Sequence, residues 1–442
     1  MTDQPMSNRT YRQTHITRSI RPPSSTAEPA AAAQSQDEKR SLWATMDKPL
    51  LLITGLLLTI GAGMVFSTTF DWSLQEYGSN TAIFLRQHMR NVVLSTGALV
   101  FFAAIDYRFW KRFAPLLLLV TLASLIAVLI FGDDTFGARR SLIGGRFQPG
   151  ELAEFAIVVY MAAWLGARNT RIQSIAFGLV PFGVLVGIVA GLVALQPDLS
   201  SAAITSLTAV GMYYLAGARV WHLGLAILSA LLVGALAVNT LDYAQNRWEP
   251  YVASLSNPIE ANYHTQQAII AFVNGGWFGV GLGQGEQKFG FLPAPHTDSI
   301  FAVIGEELGV VGASFVVLLF VAFVVRGLQI ARRAVDPFGA LLAVGFTMWV
   351  AVQALLNIAV MTAVIPSSGL PLPFISYGGS ALLVLMIGVG LMLSVSRIAT
   401  IRQSTSNGRK RGATYDRGWG NRRARLSRAG RRRSTLQPRR HA

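Results

Sequence analysis

Gly281–Gly309 reads GLGQGEQKFGFLPAPHTDSIFAVIGEELG, and the change of character inside it decides the fold. The first part is glycine-rich and polar, as a loop is. Pro293 and Pro295 then stiffen the chain, because each ring fixes φ and disfavours helix in the residue before it. After His296, Thr297 and Asp298 comes an apolar run with the character of a membrane helix. An acid thus stands on a stiff lead-in at the mouth of a membrane helix. Asp298 has two readings. Thr or Asp before an apolar helical run is a common N-cap, although the capping-box partner is missing, with Ile300 or Phe301 in its place. The second reading is chemical: a helix N-terminus favours an ionised carboxylate, and such a carboxylate can act as a base.

Composition sets the class. The chain has 442 residues, 52% hydrophobic and 14% charged, where soluble proteins carry roughly 25% charged residues. It reads as an all-α polytopic membrane protein. The absence of cysteine excludes disulfides, thiolate catalysis and cysteine-ligated metal. The six histidines show no ligand spacing, so no metal site is expected. No cofactor is required, and a divalent cation assisting the reaction stays open. The net charge of +16 sits mostly after Ile401, in a tail with Arg409, Lys410, Arg411 and Arg431–Arg433. That tail reads as a disordered cytoplasmic segment drawn to anionic lipids, at about 1 kcal/mol per basic residue. An acidic partner is the second choice, and nucleic acid is not expected.

Residues 1–45 are rich in Ser, Pro, Ala and Gln, cannot bury a core, and contain no signal-peptide h-region. A membrane domain is expected over 46–398 and the disordered tail over 399–442. About ten runs approach the roughly 17–25 residues that a membrane helix needs. They are Pro49–Thr68, Asn91–Ile105, Phe113–Phe131, Leu152–Leu165, Ile175–Leu195, Ser200–Ala216, Trp221–Val238, Ser299–Val325, Phe338–Val364 and Ala381–Val395. An even number puts both termini on one side, and the basic tail makes that side cytoplasmic. The link 239–297, roughly sixty residues, is far beyond ordinary loop length. It falls outside, between helices 7 and 8, and its aromatics predict an ordered loop with a half-helix on the membrane. In Gly132–Gly150, Arg139, Arg140 and Arg146 also fall outside, against the positive-inside bias. They read either as an anion site or as salt-bridge partners of Asp133 and Asp134. Irregular backbone at membrane depth must line a cavity or pack on protein. One external cavity is therefore expected to gather Asp298, Arg139, Asp198 and the Pro371–Gly379 turn.

Four motifs in order, GARRSLIGGRFQPGELAE at Gly137–Glu154, QPDLSS at Gln196–Ser201, the glycine-rich stretch Gly275–Gly309 and PSSGLPLPFISYGGS at Pro366–Ser380, resemble the SEDS family. These are the FtsW/RodA-type peptidoglycan glycosyltransferases, and the chain looks more like the division member FtsW than RodA. The resemblance covers about 49–397. It implies ten membrane helices, polymerisation of lipid II at the outer face of the bacterial cytoplasmic membrane, and a septal role alongside a class B penicillin-binding protein (a transpeptidase) and other division proteins. It also implies that the family's essential aspartate is Asp298. The chain departs from the family where Glu154 replaces a usual lysine, Ser141 a common tryptophan, and Ala381 a serine.

Glycan extension needs a base for the acceptor hydroxyl, worth roughly 10²–10⁴-fold, and Asp298 is the choice. Cations must meet the leaving pyrophosphate: Arg139, Arg140, Arg247 and Lys288 are the external candidates. Gln196, His296 and Ser376, which lie in the motifs, join them as substrate-binding candidates. Asp198 reads as a helix cap or a substrate contact. Glu306 and Glu307, roughly 12 Å below Asp298, read as structural, one of them paired with an arginine because charges at that depth are usually paired. Glu151 reads as structural too. Asn357, with Gln353 on its face, reads as inter-helix glue, and Pro371, Pro373, Gly378 and Gly379 as turn residues. Two rival functions stay open, a lipid II flippase and a non-catalytic division scaffold.

Overall fold

The computed structural model describes residues 45–77, 83–135, 138–141, 148–167, 171–257 and 261–403. The segment before residue 45, Arg146 and the chain beyond 403 lie outside the described residues. Twelve helices are present among those described: α1 (Lys48–Tyr77), α2 (Ile83–Ala104), α3 (Arg108–Phe131), α4 (Pro149–Leu165), α5 (Val180–Ala194), α6 (Leu199–Leu215), α7 (Val220–Thr240), α8 (Asp242–Ser256), α9 (Tyr263–Gly275), α10 (Ile300–Arg333), α11 (Pro337–Met361) and α12 (Ser380–Gln403). A π-helical turn, Ile175–Leu179, leads into α5. Two short strands, β1 (Asp133–Thr135) and β2 (Ala138–Ser141), form an antiparallel hairpin.

Seven of these helices, α1, α3, α5 with its lead-in, α7, α10, α11 and α12, are long and apolar enough to cross a membrane. Helix α2 and the shorter α4 and α6 stand at the remaining expected spans. The architecture is the expected polytopic helical bundle, with one boundary moved: the tail expected from residue 399 starts inside α12. Helix α4 is buried along most of its length, from Pro149 to Leu165. Beyond Glu151 and Glu154 near its start α4 is apolar all round, as a buried helix is, and it forms the centre of the bundle with the largely buried α11. Helix α7 is the opposite case, where His222 is the buried residue and the leucines face outward.

The long link between α7 and α10 is ordered where it is described. Helix α8 exposes Trp248, Val252 and Leu255, one face at helical spacing, as an interfacial helix does. Helix α9 and the glycine-rich loop then turn back along α10. Val280 N–H donates to Glu306 O at 3.0 Å, Gly281 N–H to Glu307 O at 3.0 Å, and Val310 N–H to Gly276 O at 3.0 Å. Helix α10 opens to receive this loop at Gly309, whose φ of 66° belongs to the left-handed region. A side chain at Gly279 would run into the Glu307 carbonyl, so close backbone approach fixes glycine there.

Candidate active site

The ends of α4, α6 and α11, the start of α12 and the segment 369–379 enclose a cavity of about 380 Å³. Its walls carry four carboxylates, Glu151, Glu154, Asp198 and Asp298, with Gln148, Ser201, Trp349, Gln353, Tyr377 and Ser380. Among the described residues none of its lining side chains is Lys, Arg or His. Asp198 is the cap expected of it, and it also stands on the cavity wall. It caps α6, accepting from Ser201 N at 3.0 Å, and takes bonds from Ser201 Oγ at 3.0 Å and Gln148 Nε2 at 3.3 Å while lining the cavity. Glu151 is bonded by Ser380 through its side chain, yet its Oε2 is buried without a partner, as is Gln353 Oε1.

The lead-in that carries Asp298 is held through its backbone. His296 O accepts from Tyr377 N at 2.8 Å, Thr297 O from Ser376 Oγ at 2.6 Å, and Asp298 O from Asn357 Nδ2 at 2.8 Å. Three consecutive carbonyls are thus fixed to one wall. Asn357 Nδ2 also donates to Leu370 O at 2.5 Å, and Gln353 Nε2 to Pro371 O at 3.0 Å. One stripe of α11 therefore ties both irregular segments together. Pro371, Pro373, Gly378 and Gly379 shape the wall they complete. The N-cap of α10 is Ser299, without a side-chain capping bond, so Asp298 is not the cap residue. Ser299 Oγ donates to Pro293 O at 2.6 Å and lies 2.6 Å from His264 Nε2. A hydroxyl has one proton to give, so here the imidazole donates to it. Gly369 stands against the acid: a Cβ there would lie 3.1 Å from Asp298 Oδ2.

Several expected site residues lie elsewhere. Lys288 is not an external cation. It is buried, 2.7 Å from Glu307 Oε1 and 2.8 Å from Ser67 Oγ. The partner of Glu307 is thus this lysine rather than an arginine, and Glu307 Oε2 also accepts from Gly283 N at 3.0 Å. Glu306 accepts from the backbone N–H of Glu286 at 3.0 Å. Gln196 is buried and donates to Leu125 O at 3.0 Å, joining α3 to the α5–α6 break instead of lining the cavity. Ser376 lines the cavity, but its hydroxyl serves the lead-in and accepts from Leu372 N at 2.7 Å. His296 lies behind the wall, edge-on to Tyr377 at 5.8 Å, where burial pushes its imidazole down to about 4. Glu151 stands on the cavity wall itself rather than behind it. Arg139 lies in β2 opposite Asp134, and the side chains of Arg139 and Arg140 lie outside what is described. Sequence reasoning did not single out Gln148, Trp349, Gly369, Tyr377 or Ser380. The spacing of Trp349 from Gln353, one helical turn, was the available signal for one of them. Among the described residues no group of three or more His, Cys, Asp or Glu converges to hold a metal ion.

The profile of the FtsW/RodA/SpoVE family, described as cell cycle protein, matches residues 48–401 of this helical bundle. The chain belongs to this family. It is 36% identical over 355 residues to a probable peptidoglycan glycosyltransferase FtsW of Geobacter metallireducens, covering 79% of this chain and 94% of that protein. It is likewise 36% identical to the stage V sporulation protein E of Bacillus subtilis, over 79% of this chain and 97% of the relative. Among solved structures it resembles a chain of a peptidoglycan synthase complex described as coordinating polymerization and crosslinking, with TM-score 0.64 and 25% identity, covering 80% of this chain and 98% of that one. It also resembles the rod shape determining protein RodA of Thermus thermophilus, with TM-score 0.59 and 25% identity, covering 80% and 98%.

Proposed function

We propose that this chain is a peptidoglycan glycosyltransferase that polymerises lipid II at the outer face of the cytoplasmic membrane, for the septal wall of a dividing cell. Membership of the family and the names of its relatives support the activity, and the FtsW name carried by many of them supports the division role. The synthase complex to which one neighbour belongs supports pairing with a class B penicillin-binding protein. The alternation of basic links supports the orientation that turns the Asp298 end outward.

In the reaction, Asp298 takes the proton of the acceptor sugar's hydroxyl. The freed oxygen attacks the donor's anomeric carbon, and the bond from that carbon to the diphosphate oxygen breaks. The diphosphate leaves with the electron pair, so one carboxylate suffices where a glycosidase needs two. Glu151, Asp198 and Gln353 offer acceptors to sugar hydroxyls, while Arg139, Arg140 and Arg247 are the cations available to the leaving group.

The observation that carries this reading is the three-bond clamp on 296–298, which fixes the acid on the cavity wall before substrate arrives. Purified protein given labelled lipid II should make glycan chains, and Asp298→Asn should make them about 10²–10⁴-fold more slowly with unchanged thermal stability. Polymerisation by Asp298→Asn at the parent rate would refute the reading. Lipid movement without chains would mark a flippase instead.

A further inference from the structure

The residue that follows the acid is bonded against its position. Ser299 is the N-cap of α10, and a serine there ordinarily accepts a hydrogen bond from the backbone N–H two or three residues on. It makes no such bond, although it is fully buried. Its oxygen instead takes the Nε2 proton of His264 at 2.6 Å, and its own proton goes to Pro293 O, also at 2.6 Å. Burial, and then the charge of Arg247, hold this imidazole below its usual range. At neutral pH it therefore carries one ring proton, and the contact with Ser299 places that proton on Nε2. His264 sits in the first turn of α9, its N–H 3.2 Å from the capping Asn262 Oδ1. Helix α9 lies close along α10, with Gly275 against the backbone of Gly305 and Glu306, so the imidazole is delivered from a rigid element.

The bond from Ser299 to Pro293 closes the loop that carries Asp298, and that loop needs holding. Ala294 has a φ of 47°, in the left-handed region that a residue with a Cβ rarely visits. Such strain persists only where the surroundings over-determine it. Ala294 O accepts from Thr297 N at 3.1 Å and from Ser299 N at 3.3 Å, so Ser299 grips two successive carbonyls at the base of the loop. Without the imidazole, the Ser299 oxygen is free to turn inward and cap α10, which gives up the brace on Pro293. We infer that His264 is a positioning residue for Asp298: by occupying the Ser299 oxygen it keeps that hydroxyl on Pro293, and so holds the Ala294 turn and the acid beyond it against the cavity. This rests on the reading of Asp298 as the base.

The forgone cap separates this role from plain stability. In His264→Leu the Ser299 hydroxyl gains a cap bond as it loses the brace, so thermal stability should stay near the parent's. The kcat for lipid II polymerisation should fall about tenfold at unchanged KM, the effect of one lost buried hydrogen bond. His264→Gln, whose amide nitrogen reaches about as far as Nε2, should restore the rate, and His264→Asn, whose amide stops near Nδ1, should not. A second readout is independent of the chemistry and uses the absence of cysteine from the chain. Asp298→Cys in the full-length chain, in phosphatidylcholine nanodiscs, carries a lone thiol at the acid's position. Adding His264→Leu should raise its rate of labelling by a water-soluble methanethiosulfonate about 5- to 10-fold, and adding His264→Gln should leave that rate unchanged. Unchanged labelling in the His264→Leu background would overturn the inference, as would rescue by His264→Asn as full as that by His264→Gln. If labelling rises but His264→Leu polymerises at the parent rate, the brace stands and the reading of Asp298 as the base falls.

Discussion

The two ends of α10 treat carboxylates in opposite ways. Where α10 finishes, acids meet cations. Arg326 grips Asp47 through Nε at 2.8 Å and Nη2 at 2.7 Å, and Asp336 accepts from Tyr107 at 2.5 Å and Arg108 at 2.9 Å while capping α11 through Gly339 N. Partway along, Glu307 has its lysine. Where α10 begins, four carboxylates share a cavity whose described walls hold no cation. An acid matched to a cation and backbone donors is part of the architecture. Four acids lining one cavity are tolerated where water or a polar guest enters. The described acid–cation pairs thus sit at the finishing end of α10 and along it, while the cavity at its start is where carboxylates gather.

The sharpest way to break that comparison is through Lys288. Its side chain is 3% exposed and that of Glu307 fully buried, so Lys288→Met leaves a buried carboxylate without its cation. Stability measured by unfolding in detergent should fall by about 3–5 kcal/mol, and the double variant with Glu307→Gln should recover part of it. A raised KM for lipid II at unchanged stability would instead make Lys288 a substrate residue. His296 comes next. Its imidazole is held down to about 4 in the folded chain against about 6.5 unfolded. The unfolded state therefore binds more protons between those values. Stability is full above about pH 6.5 and falls as the pH drops toward 4, by on the order of 3 kcal/mol. A His296→Gln variant should flatten that limb of the thermal-stability profile.

Much of the bundle was legible, because apolar length and basic links are local signals. Helices α3, α5, α6 and α7 fall within a few residues of the runs read from sequence. Asp198 did divide two helices, and the glycine-rich loop did precede the acid. The site was half legible for a physical reason. Asp298 announces itself through the prolines beside it, and Asn357 and Gln353 through being amides four apart in an apolar helix. Lys288 misled, because a lysine in a glycine-rich loop looks solvated until that loop is seen to fold back against α10. Gln196 misled likewise, since its motif said nothing of the carbonyl of Leu125 one helix away. Tyr377 and Gly369 carried no local mark at all; their roles exist only once two distant segments touch.

The clamp on the lead-in gives smaller effects, which sharpen the comparison by separating support from chemistry. Asn357→Leu removes the donor shared by the carbonyls of Asp298 and Leu370, so polymerisation should fall by about tenfold, the range expected when buried acceptors lose their partner. The smallest expected effect is at Tyr377. Its backbone N–H, which holds His296 O, survives in Tyr377→Phe, where only the hydroxyl, 2.9 Å from Gln87 Oε1, is lost. That bond joins α2 to the wall of the cavity from behind, so its loss should lower stability by about 1 kcal/mol and leave KM for lipid II unchanged. A rise in KM with no loss of stability would show that the hydroxyl meets substrate, and would move Tyr377 from the supporting set to the working one.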